Sequence, residues 1–143
     1  DISYTEHFQK IKTIYENQLT APFYCDNKRL KIAVSNLINN AIKHHDPDAN
    51  PNAFVKTVIK TSGNQIKITI EDNGPGIEEV HQPEIFKMFY RATVRTEGSG
   101  LGLYIVHEII ERLKGQIHMI SHVNVGTKFE ITLPNQSAPE KNK

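Results

Sequence analysis

Only one cysteine, Cys25, occurs in the 143 residues, so neither an internal disulfide nor a cysteine-built zinc site can form. A lone thiol agrees with a reducing compartment. No apolar run approaches the roughly 20 residues that span a bilayer, and no signal-peptide pattern opens the chain. Charge of one sign is not in excess: 17 basic side chains face 16 acidic ones, leaving +1 and a pI of about 8.0. Nothing therefore pulls the whole molecule toward nucleic acid or an anionic membrane, and any polyanion must be bound locally. No glycine run ends in Gly-Lys-Ser/Thr, which excludes a phosphate-loop NTPase.

What is present is ordinary for one globular domain: 38% hydrophobic and 23% charged residues, in a chain long enough to bury a core. The first residue is Asp1 rather than methionine, which suggests a piece of a longer protein. We expect a cytoplasmic domain, whether or not a longer protein carries a membrane anchor.

The pattern predicts alternating helices and hairpins. Phe8, Ile11, Ile14 and Tyr15 recur at helical spacing over 4–15, and 20–25 reads as a short strand whose Pro22 suits an edge. Asp26 or Asn27 caps a strong helix from Lys28 to about His45. Residues 45–53, with their prolines, asparagines and aspartates, form a loop. β-Branched runs over 54–61 and 65–71 make a hairpin, and a helical turn follows over 83–90. A second strong helix, 101–113, stops at Gly115, and strands over 116–121 and 127–133 close the domain. The expected class is α+β, a two-layer α/β sandwich with one mixed sheet. The domain would occupy 1–134, and the polar tail 135–143 is expected to be disordered.

At about 100° per residue, Leu30, Val34, Leu37, Ile38 and Ala41 share one face of the first strong helix. Asn36, Asn40, Lys43 and His44 share another, while Asn39 falls about 100° from Asn40. The amide oxygen of Asn40 is a hard, neutral ligand of the kind Mg²⁺ accepts beside phosphates, and Lys43 can meet a phosphate oxygen. A solvated polar face explains the same residues equally well.

Two glycine clusters differ in character. In Glu71-Asp72-Asn73-Gly74-Pro75-Gly76 a carboxylate stands at a strand end beside backbone without side chains. A flat aromatic ring can approach such backbone, and Asp72 can accept a hydrogen bond from an exocyclic amine such as that of adenine. An Asx turn is the alternative. Gly98-Ser99-Gly100-Leu101-Gly102-Leu103 opens the second strong helix, where free amides and the helix dipole favour an anion. Its context, a polar loop rather than a strand, argues against a dinucleotide fingerprint. A flexible hinge is the alternative here.

Taken in order, segments 36–43, 72–76, 85–91 (Ile-Phe-Lys-Met-Phe-Tyr-Arg), 98–103 and 126–129 (Gly-Thr-Lys-Phe) resemble the N, G1, F, G2 and G3 boxes of sensor histidine kinase catalytic domains. The resemblance covers about Asn27 to Pro134. It implies a Bergerat ATP-binding fold, a mixed sheet against three main helices with an ATP lid, here the short stretch 92–97. By resemblance Asn40 would be the Mg²⁺ ligand, Lys43 a phosphate contact, and Asp72 the reader of the adenine amino group above Gly74 and Gly76. Thr127 would help close the adenine pocket, and the amides of Gly98, Ser99, Gly100, Leu101, Gly102 and Leu103 would bracket the phosphates. Phe86 and Phe89 would pack the lid base, Arg91 would reach the γ-phosphate, and Ile77, Asn36 and His44 would complete the nucleotide contacts. His44 stands where relatives carry tyrosine.

The same fold serves gyrase-type, chaperone and mismatch-repair ATPases, where a glutamate one turn before the metal asparagine acts as general base. Here that position is Asn36, which cannot take a proton near neutral pH. The resemblance thus implies a histidine kinase using ATP and Mg²⁺, with a histidine-bearing dimerisation domain and a response regulator as partners. A regulatory ATP-binding module, a slow ATPase and a serine kinase acting on anti-sigma partners are the alternatives. No phosphoacceptor is evident: His107-Glu108 lacks the following proline and His7 follows its acid, so both read as helix-surface residues. His118 and His122 lie on a strand, against a helical metal pair.

Overall fold

The computed structural model describes residues 2–90 and 100–136. In chain order the elements are α1 (Ile2–Gln9), β1 (Lys12–Gln18), α2 (Asn27–His44), β2 (Phe54–Ser62), β3 (Gln65–Asp72), a 3₁₀ turn (Gln82–Glu84), α3 (Gly102–Arg112), β4 (Gln116–His122) and β5 (Gly126–Pro134). The strands form one five-stranded sheet in the order β1-β2-β3-β5-β4, parallel between β1 and β2 and antiparallel elsewhere.

The period of 2 along β3 and β5 explains the layering. Ile66, Ile68 and Ile70 pair with Leu133, Ile131 and Phe129, and all six are buried on one face. Helices cover that face: Leu37 and Ile42 of α2 and Val106 and Ile110 of α3 are at most 1% exposed. Burying each such side chain contributes about 1.5–3 kcal/mol. On the other face Lys56, Lys67, Glu71, Lys128 and Glu130 stand toward solvent in mixed sign, with Lys128 3.5 Å from Glu130. One apolar and one charged face make a two-layer α+β sandwich.

Three local expectations are corrected. The helix expected over 4–15 ends at Gln9, and 12–18 is instead an edge strand whose Tyr15 is 65% exposed. The unpaired edge of β2 offers Thr13-Ile14-Tyr15 a ladder of backbone hydrogen bonds, which outweighs an amphipathic spacing only three turns long. Residues 20–25 form no strand, because β1 already occupies that edge. The buried stripe of α2 is broader than the single face expected and includes Ala33 and Ile42, both 0% exposed, because α2 packs on α3 as well as on the sheet. Asp26 is the cap, its Oδ1 accepting from the Arg29 amide at 3.2 Å.

Gly115 also acts differently from expectation. The left-handed residue ending α3 is Lys114, at φ 60°, while the Gly115 amide donates to Ile110 O at 2.9 Å. A Cβ at Gly115 would lie 2.5 Å from both Leu133 Cδ2 and Thr132 O, so glycine is needed there for close approach to β5. Of the tail expected to be disordered, Asn135 is tied down: its amide donates to Asn64 O, and its side chain bonds Tyr24 N and Pro22 O. Residues 137–143 lie outside the described residues.

Candidate nucleotide site

The site is built where β3 ends and β5 begins, beside the C-terminus of α2. Asp72, the last residue of β3, pairs with Thr127 of β5. Its Oδ1 accepts the Gly74 amide at 2.8 Å, so the Asx turn considered from sequence does form, and it orients the carboxylate. Burial pushes the Asp72 carboxyl above its ordinary range, a shift opposed by the amides of Gly74 and Thr127 and by the nearby His45 ring. A carboxylate offers about four acceptor positions, so these bonds leave capacity for an exocyclic amine.

Backbone spacing around Asp72 is very close. A Cβ on Gly126 would fall 2.0 Å from Asp72 O, and one on Gly76 2.2 Å from His122 O. Asn124 N donates to Pro75 O at 2.8 Å, stitching the 72–76 turn to the β4–β5 turn. Below them Ser121, 7% exposed, joins three segments. Its Oγ accepts from the Ile77 amide at 2.8 Å and lies 2.8 Å from Thr127 Oγ1 and 3.2 Å from Gly126 O. Gln82 Nε2 donates to Ile77 O at 2.9 Å and to Ser121 O at 3.3 Å. We expect Ser121→Ala to cost about 1–3 kcal/mol, since it leaves the half-buried Ile77 amide without its acceptor. Urea denaturation reads this as a lower midpoint at constant slope, and an unchanged midpoint would show that solvent reaches the amide.

The second wall is α2. The Asn40 side chain makes no hydrogen bond to any described residue and is half-buried; Lys43 and His44 are exposed and Asn36 half-buried. His45, directly after the helix, bonds Asn73 at 2.7 Å. At about 1.5 Å rise per residue, Asn40 lies roughly 7–8 Å along the axis from that junction. The His45–Asn73 bond ties the C-terminal end of α2 to the Asp72 turn. An uncommitted amide oxygen at this end of α2 is a donor that fits a hard divalent cation. By contrast His107, Glu108 and Glu111, whose ligand atoms lie within 4.8 Å of one another, sit on α3, where the His107 ring packs on Phe86.

At the lid, Phe89 and Gly100 meet as a neck. The Phe89 amide donates to Gly100 O at 2.9 Å, with φ 63° at Phe89 and 74° at Gly100, where a Cβ would strike the Phe89 backbone at 2.6 Å. Arg91, Gly98 and Ser99 lie outside the described residues. Leu101 caps α3 without a side-chain cap hydrogen bond, and a Cβ on Gly102 would meet no described atom within 4 Å.

The sequence profile of the histidine kinase-, DNA gyrase B- and HSP90-like ATPases matches residues 25–137. Heme sensor protein HssS of Staphylococcus haemolyticus is 37% identical over 115 residues, which are 80% of this chain and 24% of that protein. Among solved structures, the mycobacterial sensor histidine kinase MprB superposes with TM-score 0.73 at 25% identity, over 96% of this chain and 91% of that one. The full-length ShkA structure with AMPPNP shares the fold, with TM-score 0.79 at 21% identity over 97% of this chain and 29% of that one.

The chain belongs to this family, as a histidine kinase catalytic ATP-binding domain. It spans about a quarter of the length of the curated relative named above.

Within the histidine kinase domain, Asp72, Gly74, Gly76 and Thr127 cluster at one sheet end, and Asn36, Asn40, Lys43 and His44 lie on α2. Ile77 is anchored there through Ser121. Phe86 packs against Phe129 at 6.2 Å, whereas Phe89, expected beside it in the lid base, is 65% exposed at the neck. His107 is a helix-surface residue, 3.6 Å from Glu111. His7 is more than that, since its Nε2 donates to Ile42 O at 2.6 Å and ties α1 to α2. Sequence reasoning missed Ser121, Asn73 and His45. Alternation along β4 could have flagged Ser121 as inward-facing, but nothing in the spacing of the double histidine distinguishes buried His45 from exposed His44.

Proposed function

We propose that this domain binds Mg·ATP and delivers the γ-phosphoryl group to a histidine on a dimerisation domain outside this chain, in a two-component signalling protein. What supports this reading is the family match over residues 25–137, together with an Asp72 carboxylate oriented by the Gly74 amide in a turn that the His45–Asn73 bond ties to the end of α2. Asp72 accepts a hydrogen bond from the adenine amino group, with Gly74 and Gly76 beneath the ring and Thr127 and Ile77 at its border. The amides of Gly100–Leu103 face the phosphates, and the F-box and lid positions Phe89, Arg91, Gly98 and Ser99 carry their family roles.

Asn40 would hold Mg²⁺, with Lys43 on a phosphate oxygen. The cation, when bound, neutralises phosphate charge. In the transfer an imidazole nitrogen attacks the γ-phosphorus as the bond to the β–γ bridging oxygen breaks; ADP leaves and the imidazole sheds its proton. The domain contributes positioning and charge stabilisation, without a covalent step of its own. Asn36 favours transfer over hydrolysis, because it cannot serve as a base toward water. A response regulator would then draw the phosphoryl group from the histidine, in the cytoplasm where ATP is available.

The test is full-length protein with γ-labelled ATP. We expect label in an acid-labile, base-stable phosphohistidine, with phosphate release much slower than labelling. Steady phosphate release without labelled protein would sink the kinase reading.

A further inference from the structure

His45 is 3% exposed, and its Nδ1 is the one buried side-chain nitrogen or oxygen among the described residues without a hydrogen-bond partner. Its other nitrogen has a defined role. Asn73 Nδ2 donates to Asn52 O at 3.0 Å and Asn73 Oδ1 accepts the Phe54 amide at 2.9 Å, which settles the orientation of that amide. Nε2 of His45, 2.7 Å from the same Oδ1, must then be the protonated nitrogen. Asn50 Nδ2 adds a bond to Asn73 O at 3.3 Å, so the 45–54 loop grips Asn73 from four residues.

Asn73 lies between Asp72 and Gly74. A Cβ on Gly74 would touch Asp72 Oδ1 at 3.0 Å and the His45 ring at 3.6 Å, so the imidazole lies against the turn that aims the carboxylate. We propose that His45 is a positioning residue for base recognition: through Asn73, and by packing on Gly74, it holds the Asp72 carboxylate where it reads the adenine amino group. This rests on the adenine-reading role assigned to Asp72 above. A turn loosened at Asn73 still presents a carboxylate, but with the wrong aim for a directional hydrogen bond. Selectivity for the base therefore suffers more than affinity for the triphosphate.

Calorimetric titrations of ATP and GTP into wild type, His45→Leu and His45→Gln test the proposal. Leucine keeps bulk and loses the donor; the glutamine amide can still reach Asn73 Oδ1. We expect His45→Leu to weaken ATP about tenfold and GTP less than about threefold, with His45→Gln recovering most of the discrimination. Equal ATP-over-GTP preference in wild type and His45→Leu would overturn the role of His45, and so would equal losses for both nucleotides. A wild type that does not distinguish ATP from GTP would instead remove the adenine reading itself. Should His45→Leu not fold, imidazole ¹⁵N spectra of the wild type decide. The His45 signals, of the Nε2–H tautomer, should move with ADP and not with tripolyphosphate. No movement with ADP would overturn the proposal.

Discussion

Asn40→Ala is expected to lose the Mg²⁺-dependent part of ATP affinity, about 100-fold, while the domain stays folded. The two halves of this expectation have separate causes. The Asn40 side chain has no hydrogen bond to a described residue, so its removal strands no described polar group. Alanine in its place favours the helix by a few tenths of a kcal/mol, and the melting temperature should hold or rise slightly. What is lost is a metal contact, and even groups supporting metal ligands are worth about 10–100-fold in metal affinity. ATP titrations with Mg²⁺ and with chelator check this. The wild-type ratio of affinities should be large and the variant's near one, and an unchanged ratio would refute the ligand assignment. Asn39 is the internal control, since it lies about 100° around the helix and Asn39→Ala should keep the Mg²⁺ dependence.

Asp72→Asn should separate stability from recognition. The amide oxygen can still accept from Gly74 N, so the Asx turn survives. Burial raises the Asp72 carboxyl in the folded domain, so the folded state binds that proton more tightly than the unfolded chain does. Its ionised form therefore costs stability above the folded pKa, and the cost fades as pH falls through that value toward the unfolded one. The variant should melt at a higher temperature than wild type near neutral pH, with the difference shrinking in acid. A difference independent of pH would show that the carboxyl is not the source.

Its effect on nucleotide should be opposite. Losing a hydrogen bond to a charged acceptor costs about 1.5–3 kcal/mol, roughly 10–150-fold in ATP affinity. An amide can also donate toward a guanine carbonyl, so preference for ATP over GTP should collapse. Equal discrimination in wild type and variant would remove Asp72 from the base-reading role. A more stable and less active domain is what a charge retained for function predicts.

Much of the fold was legible because local signals agreed with tertiary ones. The β54–62/β65–72 hairpin, the long α2 with its Asp26 cap, and α3 after the glycine cluster all follow from period, cap and turn chemistry read over windows of 8–18 residues. The opening segment was not, because Phe8, Ile11, Ile14 and Tyr15 satisfy a helical spacing while Thr13, Ile14 and Tyr15 are residue types that suit a strand. Only the free edge of β2, brought there from 42 residues downstream, decides between them. The same holds at Gly115, where the spacing suggested a left-handed stop and the crowding of Leu133 supplied the actual need for glycine.

Amino-acid order by itself determined the class of the domain, the polar ridge of α2, the two glycine clusters and their family, because each is a short-range pattern of side-chain type. The three-dimensional packing decided what no window along the chain contains: that Ser121 anchors Ile77, and that His45 rather than His44 turns inward to hold Asn73. Hydrogen bonds between residues 28 to 44 positions apart depend on where the strands and helices come to rest, and burial is what gives those bonds their strength.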